Sequence, residues 1–523
     1  MSAGTSRYVP MSRLDDSVRK LFKGGGILLA GLVLQLGISF VGKLIVAREL
    51  SIADYGSVSL GTTVAATAST VALLGLHHGV GRFLPRYEDP ADRRGVLVTA
   101  FSVAVPLGFL FGGVLFVAAP TVARIAFDTP EVAPVFRVFA AVIPLMVLHR
   151  LVTSTVQGQQ RTIPKVVIEN ISRPTVRIVA IAFVFLVFGG SAVRVSLAYL
   201  AGWLAPVLLG VAYLHRETSL TDRTVSAALR HEELLRFSLP LLLSGMLSMV
   251  FNDLDTLLLG YFSGGTEQVA LYNVVYPLGN LLMTAMTAFA FIFMPVISEL
   301  HAAGDNTGVN RMYQVVTKWV SVVSLPVFLV MVTFPSRLIS LTFGAKYAGG
   351  GDVLAVLVVG FFVHTVAGMN RETASSIGMT RLLMYVDGGA AAVNTALNLV
   401  LIPEYGPLGA AAATTATYVA LNIALSAILY REEGIVPVTM SMLRPGAAGV
   451  AAFVAVRLLV GAALDPTPVV LVAAFSAFVV LYGVSVLRFG GIEDEEIMLV
   501  NSVEERFGVD LEPLKRMARR LMS

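Results

Sequence analysis

Four ionisable residues stand at intervals of four in a stretch that is otherwise apolar: Lys165, Glu169, Arg173 and Arg177. On a regular helix this spacing draws one slowly drifting stripe, in which Glu169 can pair with Lys165 or Arg173. Arg177, deeper in the stretch, has no acidic neighbour in sequence, and Arg150 lies in the preceding apolar run beside His149. A guanidinium presents a planar fork of N–H donors that matches phosphate oxygens, so spare arginines in an apolar setting suit an anionic ligand. The bland alternative is that Lys165 and Arg173 sit near an interface and snorkel to it. Lys43, Lys318 and Arg457 are further cations in apolar runs. Arg457 is expected to be an interfacial or inter-helix residue.

A second candidate group interrupts the run from Ser238 to Phe262, which holds Asn252, Asp253 and Asp255. Positions i and i+2 of a helix point about 200° apart, so the two aspartates cannot grip one ion as a D-x-D metal site would. Ser244, Ser248, Asn252 and Asp255 form a polar stripe, which selects Asp255 to face a wet cavity or to hydrogen-bond a neighbouring helix. Near the end of a later run, Asp387 is placed to join Arg371 or Arg381. His77, His78 and His364 lack H-E-x-x-H spacing, and the chain has no cysteine, so no metal site is expected. Gly42-Lys43 is followed by Leu44 and lacks the glycines of a phosphate-binding loop. No ATPase is visible, no catalytic residue is assigned and no cofactor is expected.

Long apolar helices must position these residues. The chain is 56% hydrophobic and 14% charged, where a soluble domain carries about 25% charged residues. The apolar surplus falls into fourteen runs, which makes the fold an all-α polytopic membrane protein with about fourteen transmembrane helices. A charge at mid-bilayer costs at least about 2.5–3.5 kcal/mol, so the intramembrane ions should face a cavity or a partner. The organisation expected is an N-terminal tail (1–23), a first lobe of six spans (24–214), a linker (215–235), a second lobe of six (236–430), two extra spans (431–488) and a C-terminal tail (489–523). The first apolar run is too long for the core of a cleaved signal peptide. Alternate connections hold 26 basic residues, against five in the others. That asymmetry puts both termini in the cytoplasm of a cell-membrane protein. The net charge of +4 is small, and no nucleic-acid partner is expected.

The two lobes share an order. Gly24 to Arg86 reads as span, small-residue turn, tyrosine, span and charged exit, and Ser238 to Leu300 repeats it, with Tyr55 and Tyr272 each 27 residues before a charged residue, Arg82 and Glu299. Small-residue pairs such as Gly75 and Gly79 allow close helix contact. Three stretches then carry a family likeness: ARELSIADYGSVSL with LGLHHGVGRFLPRY; DLDTLLLGYFSGGTEQVALYNVVYPL with FMPVISEL; and FGAKYAGGGDVLAVL continuing to the pattern N-L-x-L-I-P-x-Y-G-x-x-G-A-A-x-A-T over Asn398 to Thr415. Over roughly residues 20 to 430 the chain resembles the polysaccharide and lipid-linked oligosaccharide flippases of the multidrug/oligosaccharidyl-lipid/polysaccharide exporter superfamily. The resemblance implies two six-helix lobes with pseudo-two-fold symmetry around a central cavity, and two extra C-terminal helices. It implies transfer of a glycan on a polyprenyl or dolichyl phosphate or pyrophosphate from the inner to the outer leaflet. That cargo would serve surface polysaccharide or protein glycosylation.

On this reading the cavity residues are Arg150, Glu169, Arg173, Arg177, Asp255 and Lys318. The partners are the lipid-linked glycan, membrane lipids, H⁺ or Na⁺ as a coupling ion, and glycan-assembly proteins. A multidrug or organic-cation antiporter of the same superfamily is the first alternative, although its cargo favours acidic and aromatic cavities. A polytopic glycan-assembly enzyme is the second, although the outer connections are short for one. A gate is also expected. Lys43 and Asp255 lie at about the same depth in the first and seventh spans, and could pair when the outer side closes. The topology is open to test: reporter fusions after Arg223 and after Arg381 should read as cytoplasmic and one after Asp128 as external. A cytoplasmic signal at Asp128 would overturn the fourteen-span arrangement.

Overall fold

The computed structural model describes residues 11–489 except 219, 221, 223, 368, 437, 438 and 464–467, with side chains from Ala30 onward apart from a few helical positions. The outermost N-tail, the Leu464-Asp465-Pro466 connection and residues 490–523 of the C-tail lie outside the described residues. Among the described residues there is no strand. Two compact units divide the chain, Met1–Met246 and Leu247–Ser523.

The first unit holds α1 (Met11–Glu49), α2 (Ile52–Ala72), α3 (Leu76–Phe83), α4 (Pro90–Ile125), α5 (Ala133–Gly158), the single turn α6 (Thr162–Lys165), α7 (Arg173–Phe188), α8 (Ala192–Glu217) and the first half of α9 (His231–Phe262). The second continues through α9 to α10 (Glu267–Ala302), α11 (Asn306–Thr333), α12 (Pro335–Thr342), α13 (Gly351–Val366), α14 (Met369–Ser376), α15 (Thr380–Tyr405), α16 (Pro407–Glu433), α17 (Met440–Ala463) and α18 (Pro468–Phe489). The expected apolar runs overlap these helices. Among the described residues ten helices are long and apolar enough to cross a membrane, or eleven when the bent pair α2 and α3 counts as one span. Their outer faces are hydrocarbon-like: Leu186 and Val117 are 86% and 80% exposed. In water such faces would be a liability; against lipid they satisfy the solvent.

In the first unit α5 is central, packing on α2, α3, α4 and α8. Gly61 of α2 lies against the ring of Phe139, where a Cβ would overlap it. The second span is broken. Leu74 and Gly75 both take positive φ, 48° and 72°, and the helix axis turns by 55°. Gly75 and Gly79 then let α3 press on Ser238 and Leu234 of α9, the close contact expected of that pair. Val225, Ala228 and Arg230, just before α9, dock on the start of α4. Ala228 donates its N–H to the Ala91 carbonyl at 3.1 Å, Arg94 donates to the Val225 carbonyl, and Arg230 meets Asp92 at 2.7 Å.

In the second unit α13 and α16 are central, bounded by α10, α11 and α15. Gly409 lets α16 approach the α15 backbone at Leu401. Tyr276, Phe361, Tyr418 and His364 make a chain of ring contacts, edge-to-face, tilted and stacked in turn, with ring centroids 4.5–5.6 Å apart. Such contacts add roughly 0.5–1.5 kcal/mol each beyond area burial.

The bend at Gly75 can be tested. An alanine there must hold left-handed backbone, which costs about 1–2 kcal/mol, and its Cβ would strike the Ser238 carbonyl. Gly75→Ala should lower the thermal midpoint of the purified protein. A midpoint equal to the parent's would show that the bend does not depend on glycine.

Candidate functional site

The cationic residues expected in the fourth and fifth spans do come together. His149 and Arg150 occupy the second half of α5, and Arg173 and Arg177 the first turns of α7. The bend at Gly75 adds His77 and His78 from α3, whose rings lie 4.0 Å apart. Arg150 acts electrostatically on both of these histidines, on His149 and on Arg173. This is a gathering of like charge, and one acid, Glu169, stands near Arg173.

The stripe through these residues is altered by the backbone. Val166–Ser172, between α6 and α7, is π-helical. Its i→i+5 closure widens the turn to between four and five residues, so residues four apart still lie near one face, but the stripe drifts the opposite way from that of an α-helix. The pairing expected of Glu169 with Lys165 or Arg173 is lost. Lys165 Nζ instead donates to Gln157 Oε1 at 3.0 Å, and among the described residues Glu169 makes no ion pair. The π segment is anchored from α1: Asn170 Nδ2 donates to Gln35 Oε1 at 2.5 Å, and Gly31 lies against Val166.

What holds the arginines is aromatic. The Arg173 guanidinium lies 4.8 Å from the centre of the Trp203 ring, and that of Arg177 lies 5.1 Å from the Tyr199 ring. Among the described residues the guanidinium groups of Arg150, Arg173 and Arg177 make no hydrogen bond or ion pair, and Arg173 Nε is buried without an acceptor. A buried N–H without a partner costs about 1–3 kcal/mol, more when it is charged. That cost falls on Arg173 Nε; Arg150 is exposed and Arg177 half-buried, so their N–H groups remain open to a ligand's oxygens.

Asp255 has the opposite character. It is 3% exposed, in the second unit. Asn398 Nδ2 donates to its Oδ1 at 2.6 Å, and Oδ2 accepts from Thr414 Oγ1 at 2.9 Å and from the Tyr272 hydroxyl. Asn398 also donates to Asn394 Oδ1 at 3.0 Å, which leaves Asn398 Oδ1 buried and unpartnered. One carboxylate, amide oxygens and hydroxyls form a hard oxygen set, suited to a proton or a small cation and not to a transition metal. The stripe drawn along α9 splits here: Ser244, Ser248 and Asn252 are exposed, while Asp255 turns inward. Of the remaining expected residues, Lys318 on α11 is 2% exposed, within the second unit. Lys43 is exposed on α1, in the first. Asp387 pairs with Arg371 at 2.5 Å, as expected. Arg457 on α17 lies over the ring of Phe334, the residue between α11 and α12, at 5.5 Å.

Three contributors lay beyond sequence reasoning: Trp203, Tyr199 and the Asn398–Thr414 pair. The first two carry no charge to attract notice, although Trp203 is one of only two tryptophans. The last pair falls in the Asn398–Thr415 pattern, where the glycines and alanines read as packing.

A family model described as polysaccharide biosynthesis protein matches residues 21–301, and one described as MatE matches residues 240–400. The probable flippase AglR of Haloferax volcanii is 26% identical over 193 residues, 36% of this chain and 38% of that protein. The matches to curated relatives thus span a little over a third of the relatives' own length. Among solved structures, the lipid II flippase MurJ in an inward-closed conformation superposes with a TM-score of 0.67 at 11% identity, over 89% of this chain and 97% of that one. An inward-facing multidrug resistance MATE family transporter of the MOP superfamily gives 0.63 at 15% identity, over 75% and 96%. At those identities the likeness is one of fold. The first of the two family models covers more than half of the residues, and on that ground the chain belongs to the polysaccharide biosynthesis protein family.

Proposed function

We propose that the protein is a flippase, which carries a glycan linked to a polyprenyl or dolichyl phosphate or pyrophosphate from the inner to the outer leaflet of the cell membrane. The observation that carries this reading is the cluster on α5 and α7, where arginine donors have no acceptor and Arg173 Nε is buried without one. A phosphate-bearing head group supplies the missing oxygens. The names of two similar proteins, a probable flippase and a lipid II flippase, agree with it, and the concentration of basic residues in alternate connections supports cytoplasmic termini. Asp255, with its hard oxygen surroundings, is the proposed seat of the coupling H⁺ or Na⁺.

A second reading, drug antiport, is favoured by the MatE match over residues 240–400. It asks the cavity to hold an organic cation, and the first unit's spare positive charge opposes that.

Two experiments separate these readings. Arg150→Gln or Arg177→Gln should abolish glycan export at unchanged protein level, with Arg→Lys restoring only part of it, since lysine lacks the bidentate fork. Normal export by both neutral variants would reject the anionic cargo, and rising export of an organic cation from the same variants would favour antiport. Asp255→Asn keeps the shape of the side chain and removes its charge. In proteoliposomes it should abolish the response of transport to an imposed H⁺ or Na⁺ gradient. A variant that answers the gradient like the parent would remove Asp255 from coupling.

A further inference from the structure

The two arginines of α7 are held by one face of α8. Tyr199, Gly202 and Trp203 stand at positions i, i+3 and i+4, so they share that face. Arg177 lies over Tyr199 and Arg173 over Trp203, one rung at each end. Between them Gly202 is bare: a Cβ there would come within 2.7 Å of the Arg177 Cβ and 3.2 Å of its Cα. The glycine is what lets α7 lie close enough for both rungs to form. Both aromatic residues are themselves braced from α5, Trp203 by the edge of the His149 ring at 5.2 Å and Tyr199 by Phe139 at 6.0 Å.

How an arginine is held decides what it can still do. A carboxylate partner takes the N–H fork and cancels the charge. An aromatic partner takes the flat face, leaving the edge N–H groups and the full charge available. With carboxylates in place of the two rings, the forks of Arg173 and Arg177 would be spent. With aliphatic side chains there, the guanidinium groups would lose their orientation.

We propose that Tyr199, Gly202 and Trp203 are positioning residues, which set the affinity of the arginine pair for a phosphate-bearing ligand without touching it. This rests on the reading that Arg173 and Arg177 bind the cargo's phosphate. It makes a demand that a simple charge cluster does not, because Trp203→Leu leaves every charge in place. The test uses the full-length protein in detergent, with farnesyl diphosphate, a short isoprenoid diphosphate, as the titrated probe, and the thermal midpoint of each ligand-free variant as a control. Trp203→Leu should raise Kd about threefold to thirtyfold, the range that a desolvated cation–π contact supports. Trp203→Phe keeps a ring face and should recover most of the loss. Gly202→Ala should also raise Kd, because it displaces Arg177. Arg173→Gln should weaken binding most.

Affinity equal to the parent's in both Trp203→Leu and Gly202→Ala, with binding lost in Arg173→Gln, would overturn the positioning role and leave the anionic cargo standing. Affinity equal to the parent's in Arg173→Gln and Arg177→Gln would overturn the cargo reading itself. Trp203→Phe as weak as Trp203→Leu would show that the ring face is not what matters, and so overturn the role as well. Should Trp203→Leu fail to fold, affinity equal to the parent's in Gly202→Ala, with binding lost in Arg173→Gln, would by itself overturn the positioning role.

Discussion

A polar group inside a hydrocarbon-facing bundle has no water to fall back on, so the protein or its ligand must satisfy it. The two units meet this constraint in different ways. The second satisfies its buried acid internally, with donors to Asp255 from Asn398, Thr414 and Tyr272. The first leaves a half-buried base incomplete: Arg173 has a ring beneath it and a buried Nε with no acceptor. Removing one partner of a satisfied network strands the others, at a cost of about 1–3 kcal/mol each. The Asp255 network is thus a strong constraint on the packing of α9, α10, α15 and α16, whatever else it does.

Much of the fold was legible because membrane helices are written in long apolar runs. The breaks within them were less so. The span through Ala72 and Leu76 reads as one continuous helix, and its bend depends on positive φ at Leu74 and Gly75, a conformation that no hydropathy pattern encodes. The π segment at Val166–Ser172 was likewise hidden, and Glu169 makes neither of the ion pairs that the four-residue spacing suggested. Arg150, Arg173 and Arg177 were found from sequence because charge in an apolar run is rare and costly. Their aromatic supports were not, since a tyrosine and a tryptophan on α8 read as ordinary membrane aromatics until α7 is laid beside them. For Asp255 the residue was legible and its surroundings were not. Its partners lie 17, 143 and 159 residues away in sequence, and separations of that size are set by packing alone.

The contrast between the units also bears on the sign of the cargo. A transporter's binding site has to be left unsatisfied when empty, otherwise the ligand must compete with a partner already in place. Asp255 already has three donors, so an organic cation gains little there unless that network comes apart. Arg150, Arg173 and Arg177 have given up no guanidinium N–H to the protein among the described residues, so an oxyanion meets no such competition. The aromatic faces under two of these arginines matter for the same reason, since they fix orientation without consuming charge. The asymmetry that supports an anionic cargo is therefore more than a count of arginines: these arginines are held by groups that leave their charge unspent.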